Sequence, residues 1–152
     1  MKKIIFACLA AFISTTAVFA APVPPSSMVT EKVLKVFHDA FPEVKQPTWY
    51  NFDNYYEVYF TNADNTSCRI DYSPDGIVLS TTRYYTSQNL APAIRAKVNE
   101  KYPGKKIFGI TEVSNSETVI YHIVLEDEKN WLTVQSDATG NISLEKKLVK
   151  SE

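Results

Sequence analysis

The sequence holds few side chains whose types and spacing could carry out catalysis or bind a metal. Neither histidine, His38 or His122, sits in a spaced metal-binding motif such as H-E-x-x-H. Nucleophile-elbow, C-x-x-C, Walker and dinucleotide-binding glycine motifs do not occur. Asp127 and Glu128 are adjacent carboxylates in a predicted turn, where they are solvated, whereas general acid–base catalysis requires a shaped site that excludes water. We therefore predict no catalytic residue, no metal site and no cofactor.

Cys68 is the one cysteine beyond the N-terminal apolar segment, so no disulfide is predicted within the exported protein. It alternates with Ile70 and Tyr72, which places all three on one face of a strand. No local signature supplies the basic partner that a cysteine nucleophile needs. The pattern favours a small buried side chain.

Aromatic residues indicate a binding function instead. Tyr56, Val58 and Phe60 alternate with a period of two and are predicted to fill the core, so that the residues between them point to the opposite, open face. Binding interfaces are enriched in tyrosine, tryptophan and arginine, although a ladder of cross-strand pairs that only stabilises the sheet is the alternative. Following the phase across the strands predicts a partner-binding face formed by Tyr55, Glu57, Tyr59, Arg69, Asp71, His122, Val124, Trp131 and Thr133.

The N-terminus has the pattern of a secretory signal peptide. Lys2 and Lys3 precede an apolar segment that ends in Val18-Phe19-Ala20, a small-x-small cleavage site. We predict that residues 1–20 are removed, leaving a periplasmic or secreted protein without a membrane span. Residues 21–27 are rich in proline and serine, which is typical of an extended tether.

The charge balance argues against a nucleic-acid partner. Without Lys2 and Lys3, 14 basic side chains stand against 17 acidic ones, a net charge of −3. Nucleic-acid binding depends on a basic surface that neutralises phosphates. The expected partner is another exported protein or a peptide.

Two parts of the chain have the same order of predicted elements. The first helix is predicted from an N-cap at Ser27 to a stop at Pro42, and the second begins near Pro92 and ends before Pro103. The apolar stripe of the first is Val29, Val33, Val36, Phe37, Ala40 and Phe41, and that of the second is Leu90, Ile94, Val98 and Tyr102. Each is followed by about four strands; those predicted from their pattern are 56–60, 67–72 and 77–83, then 106–113, 118–126, 131–136 and 141–147. The predicted fold is α+β, a tandem repeat over residues 28–87 and 88–150 that forms one curved sheet with helices on one face.

Several short motifs in this order resemble those of a known family. They are Ala40-Phe41-Pro42, Trp49, Tyr56-x-Val58-x-Phe60, Asp75-Gly76, Leu90-Ala91-Pro92 and Tyr102-Pro103. Together they resemble the PepSY-like, β-lactamase-inhibitor-like (BLIP-like) proteins, small exported proteins of bacteria. The resemblance implies tandem α-β-β-β-β units and no catalytic activity.

The sequence and the resemblance lead to one expected function and two alternatives. We expect an exported, non-catalytic binding protein, with enzyme inhibition as one form of that binding. The alternatives are a periplasmic enzyme of unrecognised type and a structural component of an envelope assembly.

Overall fold

The computed structural model describes residues 28–151, which form two helices and one eight-stranded antiparallel sheet. The predicted signal peptide and tether, residues 1–27, lie outside the described residues. The elements are α1 (Glu31–Ala40), β1 (Thr48–Asn51), β2 (Tyr56–Thr61), β3 (Ser67–Tyr72), β4 (Val78–Tyr85), α2 (Pro92–Lys101), β5 (Lys106–Ser114), β6 (Val119–Glu126), β7 (Asn130–Asp137) and β8 (Ile142–Val149). The predicted α+β class is confirmed.

The strands follow one another in space in the order of the chain, from β1 to β8. Each is antiparallel to its neighbour, and β4 pairs with β5 although α2 lies between them in sequence. Apart from the β4–β5 connection, which contains α2, the turns between neighbouring strands are short. Residues opposite each other on adjacent strands share a face of the sheet. Neither helix within residues 28–151 is long and apolar enough to cross a membrane.

Helix α1 begins later than the sequence pattern predicted. Thr30 is the N-cap, and its side chain accepts a hydrogen bond from the backbone N–H of Val33, so the predicted cap at Ser27 is wrong. Val33 and Phe37 are fully buried, whereas Val36 is 36% exposed. Leu34 and Phe41 also pack against the core, so the buried side of α1 is centred on Val33 and Phe37, with Val36 of the predicted stripe at its exposed edge.

Helix α2 begins at Pro92, as predicted, and buries Ile94 and Val98. Its C-cap is Tyr102, with φ −127° and ψ 63°, and Phe41 caps α1 with φ −133° and ψ 62°. Each cap donates its backbone N–H to the carbonyl four residues earlier, Val98 and Phe37 respectively. Both helices therefore end in the same way.

The core consists of two hydrophobic clusters, one under each helix. Phe37 of α1 packs against Trp49 and Phe60, with ring centroids 5.3 and 5.2 Å apart. The second cluster contains Ile94 and Val98 of α2, Tyr85 at the end of β4, and buried residues of β5, β6 and β7. The strand register places both clusters on the same side of the sheet, which we call the helix face.

Three further details of the strands differ from the sequence pattern. A short strand, β1, contains Trp49, which is buried opposite Val58; the alternation left its register unassigned. β4 begins at Val78 and extends to Tyr85, two residues beyond the predicted end. Each of the last four strands, β5 to β8, begins or ends one or two residues away from its predicted boundary. The terminal residues of a strand pair only where the neighbouring strand extends far enough.

A candidate interface on the open face of the sheet

The face opposite the helices, which we call the open face, carries eight of the nine predicted interface residues. Glu57 lies opposite Asp71, and Tyr59 lies opposite Arg69, which places these four side chains side by side on β2 and β3. The other four predicted residues lie on β6 and β7 in the second half of the sheet. Val124 is opposite Thr133, Trp131 is opposite Glu126, and His122 is opposite Gln135.

Tyr55 is the exception. It precedes β2, and its carbonyl accepts a hydrogen bond from the backbone N–H of Phe52 in the turn after β1. The two rings stack at 4.6 Å with an interplanar angle of 11°. Tyr55 therefore lies one residue outside the paired residues of β2, beside the turn that joins β1 and β2.

The first half of the open face is a polar cluster around Arg69. Its Nε lies 3.5 Å from a carboxylate oxygen of Glu57 and 4.0 Å from one of Asp71. Nη2 donates to the hydroxyl of Thr82, and Ser80 donates to Asp71 at 2.5 Å. Two carboxylates therefore face one guanidinium, and Oδ1 of Asp71 is buried without a hydrogen bond.

Tyrosines surround this cluster. Tyr59 is 38% exposed, and its ring meets that of Tyr50 edge to face at 5.7 Å. Partial desolvation raises the pKa of Tyr59, with Glu57 adding to the shift and a hydrogen bond with Arg69 opposing it. Tyr84, on β4, is also exposed on this face. A tyrosine hydroxyl is both a donor and an acceptor of hydrogen bonds, so these side chains can pair with either kind of group on a partner.

The second half of the open face contains an aromatic pair that the sequence pattern did not reveal. The β5–β6 register shifts between Ile107 and Gly109, so that Phe108 is an extra residue on a β-bulge. Phe108 is 59% exposed, and its ring meets that of Trp131 edge to face at 4.9 Å. Gly109 immediately after a bulky residue within a strand is the one sequence signal that could have indicated the bulge.

Charged groups border this aromatic pair. Nζ of Lys150 lies 4.5 Å from the centre of the Trp131 ring, within the range of a cation–π contact. Glu126 bridges two lysines, with Lys150 at 3.3 Å and Lys106 at 3.6 Å. Two cations around one carboxylate give this end of the face a positive excess, opposite in sign to that of the Arg69 cluster.

His122 occupies the middle of the second half. Its Nδ1 lies 2.9 Å from a carboxylate oxygen of Glu145 on the edge strand β8, and the imidazole is about one-third exposed. The contact ties β6 to the sheet edge across β7.

Asp127 is engaged in its turn. Its carboxylate accepts hydrogen bonds from the backbone N–H groups of Lys129 and Asn130 and pairs with Lys105. The hydrogen bond from Lys105, followed by those from the turn, lowers the pKa of Asp127 far below its usual range. Within residues 28–151, no group of three or more histidine, cysteine, aspartate or glutamate side chains is arranged to hold a metal ion.

Solved structures with the same fold come from Bacteroides. A BLIP-like protein of Bacteroides fragilis superposes with a TM-score of 0.61 at 16% identity, over 82% of this chain and 89% of that one. A DUF2874 family protein of Bacteroides ovatus gives 0.59 at 17% identity, over 80% and 87% of the two chains. A presumed periplasmic protein of Bacteroides eggerthii gives 0.58 at 13% identity, over 80% and 88%.

No protein-family profile and no curated protein sequence matches the chain. The likeness is therefore one of three-dimensional structure, over about four-fifths of the chain. The resemblance that the sequence motifs suggested is confirmed at the level of fold: this chain has the fold of the BLIP-like and DUF2874 proteins of Bacteroides.

Proposed function

We propose that this chain is an exported, non-catalytic binding protein whose open face binds another periplasmic or surface protein. The observation that carries the proposal is the pair formed by the exposed Phe108 and the half-buried Trp131, which a β-bulge brings together on the face opposite α1 and α2. Bulges that aim a side chain are over-represented at functional sites. Enzyme inhibition is one form that such binding takes.

The energetics of the pair favour binding over a purely structural role. Phe108 is 59% exposed, so most of its apolar surface still faces water. Covering such a ring removes apolar surface from water at roughly 25 cal/mol per Å². Aromatic side chains also lose little conformational entropy on binding, and truncating a central anchor typically costs about 2 kcal/mol or more.

The charged clusters of the open face indicate which charges a partner protein carries opposite them. The cluster of Glu57, Arg69 and Asp71 has an excess of one negative charge, and that of Lys106, Glu126 and Lys150 has an excess of one positive charge. A partner that spans both halves carries a basic group opposite the first and an acidic group opposite the second. Such complementarity sets orientation and association rate more than affinity.

We also propose that the two halves, residues 28–87 and 88–150, are tandem repeats. The matching C-caps at Phe41 and Tyr102 support this, as do the turn glycines Gly76 and Gly140, with φ 80° and 81°. Near each turn, a helix lysine reaches across: Lys32 to the carboxylate of Asp75, and Lys97 to the carbonyl of Thr139. Superposing the backbones of the two halves tests this proposal.

The signal-like segment 1–20 supports export, with cleavage after Ala20, and the periplasmic description of one structural neighbour agrees with it. N-terminal sequencing of the protein recovered from the periplasm tests both points. An intact N-terminus, or recovery from the cytoplasm, would contradict them.

The binding function is tested by cross-linked pull-down from the periplasm, with the captured protein identified by mass spectrometry. Phe108→Ala, Trp131→Ala and Tyr59→Ala should each weaken binding of that protein about thirtyfold, while thermal stability changes little. Leu144→Ala is the matched control, because Leu144 is 52% exposed but lies on the helix face, opposite Val134. Equal binding by all four variants would contradict the proposal.

A further inference from the structure

A groove on the helix face lies between α1 and β4. It has a volume of about 480 Å³, which is in the range of small-molecule sites. Phe60, Ile70 and Tyr72 form its floor, Val36 of α1 and Val78 of β4 line its two sides, and all five are apolar or aromatic. The open face and its proposed interface are on the other side of the sheet.

The groove exists because neither core cluster reaches the first half of β4, where Val78 and Thr81 line it. The cluster under α1 contains residues of β1, β2 and β3, and that under α2 contains residues of β5, β6 and β7 together with Tyr85 at the end of β4. Val36 and Val78 consequently remain 36% and 45% exposed across the groove from each other. Exposed apolar walls over an apolar floor are typical of a surface that is used for binding.

Most of the polar side chains that line the groove converge at one end; the other is Thr81, opposite Ile70. Cys68 and Arg83 are opposite each other on β3 and β4, and Nδ2 of Asn62 lies 3.6 Å from the sulfur of Cys68. All three line the groove. Oδ1 of Asn62 is buried and has no hydrogen-bond partner, which is costly unless a donor reaches it.

The charge balance at this end determines what the groove accepts. Glu112 already neutralises Arg83, through a single approach of 3.4 Å between Oε1 and Nη1. Glu112 is anchored on its other oxygen by the hydroxyl of Tyr85 at 2.5 Å. A ligand carboxylate would therefore place a second negative charge beside one guanidinium, whereas a neutral acceptor engages the remaining N–H groups without that repulsion.

We propose that the groove binds a small uncharged molecule with an apolar body and an amide-type head. The head carbonyl accepts from Arg83, and its N–H donates to Asn62. The apolar body lies along β3 towards Tyr72 and Val78. From Cys68 to Tyr72 the strand extends about 13 Å at 3.3 Å per residue, which is the length of a medium alkyl chain.

Octanamide is the probe, and calorimetry together with labelling of Cys68 by a small thiol reagent is the readout. We expect saturable binding of octanamide by the purified protein and slower labelling of Cys68 in its presence. Octanoate, with the same chain and an anionic head, should bind about tenfold more weakly. Arg83→Met and Asn62→Leu should each weaken octanamide binding by about the same factor, the loss of one hydrogen bond.

A matched pair of variants on α1 locates the site. Val36→Trp fills the groove and should abolish both binding and protection of Cys68. Lys35→Trp adds the same side chain at the neighbouring position, which is 75% exposed and does not line the groove, and should leave both unchanged. Octanamide binding that survives Val36→Trp, octanoate binding as tight as that of octanamide, or no saturable binding would each overturn the proposal. None of these outcomes bears on the proposed interface.

Discussion

Tyr85 is a buried member of the second hydrophobic cluster and contacts the ion pair of Arg83 and Glu112, so the loss of its hydroxyl should measurably lower stability. Its hydroxyl donates to Oε2 of Glu112 at 2.5 Å, and the Arg83 guanidinium carbon lies 5.2 Å from the centre of its ring. Burial, followed by the hydrogen bond to Glu112, raises the pKa of Tyr85, so the hydroxyl keeps its proton throughout the neutral range. Tyr85→Phe removes this donor alone and keeps the ring, which is 8% exposed.

The expected loss follows from the charge and burial of the acceptor. A hydrogen bond to a charged group contributes about 1.5–3 kcal/mol, and Glu112, whose side chain is 13% exposed, has little access to water as a replacement. For a domain whose free energy of unfolding is about 5–15 kcal/mol, this loss is large. It raises the equilibrium constant of unfolding about ten- to a hundredfold.

Urea denaturation at pH 7, followed by far-ultraviolet circular dichroism, measures the change. The midpoint should fall at constant slope, because the surface exposed on unfolding is unchanged. Tyr84→Phe is the matched control: Tyr84 is the preceding residue, 45% exposed on the open face, and should shift stability by no more than about 0.5 kcal/mol. In a Glu112→Gln background, the cost of Tyr85→Phe should shrink. Equal effects of the two tyrosine variants, or an undiminished cost in that background, would refute the assignment.

Three further predictions concern stability and reactivity. Phe37→Ala should lower the free energy of unfolding by about 3–5 kcal/mol in the same assay, because Phe37 is fully buried among Trp49 and Phe60; Lys35→Ala, which breaks only an exposed ion pair, should change it by less than about 1 kcal/mol. Cys68, which is free, 5% exposed and has a pKa raised by burial, should react with a thiol reagent slowly in the native protein and rapidly in denaturant; rapid native labelling would contradict its place on the helix face. Asp127→Asn should make the stability of the fold less sensitive to acid. The pKa of Asp127 in the folded protein is depressed below 3.8, so the carboxylate's contribution to folding stability is present above that pH and is lost as the pH falls further. In acid titrations followed by circular dichroism, the stabilities of the wild type and the variant should therefore converge.

Local pattern was sufficient to predict much of the fold. The period-two alternation through Val58 and Phe60 identified the buried face of β2, and the spacing of Ile94 and Val98 identified the buried side of α2. The same alternation placed Tyr59 and Arg69 together on the opposite face, where the register confirms them as neighbours. Side-chain direction within a helix or strand repeats with a fixed period, so it can be read from the chain alone.

The ends of the elements were less well predicted. Ser27 and Thr30 are both good N-cap residues, and the choice of Thr30 depends on where α1 must begin to seat Val33 and Phe37 on the sheet. Tyr55 continues the alternation of β2 in sequence but lies outside its paired residues, stacked on Phe52. The alternation of residues along a strand does not indicate where its hydrogen-bonded pairing with the neighbouring strand ends.

The sequence by itself determined the class of the fold, most core positions of the helices and strands and the absence of a recognisable catalytic motif, because these depend on composition and on local periodicity. Only the tertiary structure decided which side chains meet. Two features arise from pairing and packing between segments far apart in the chain. One is the bulge at Phe108, which brings its ring to Trp131, and the other is the groove between Val36 and the first half of β4. Register and helix placement are set by the combined burial of many residues, and no single stretch of sequence contains that information.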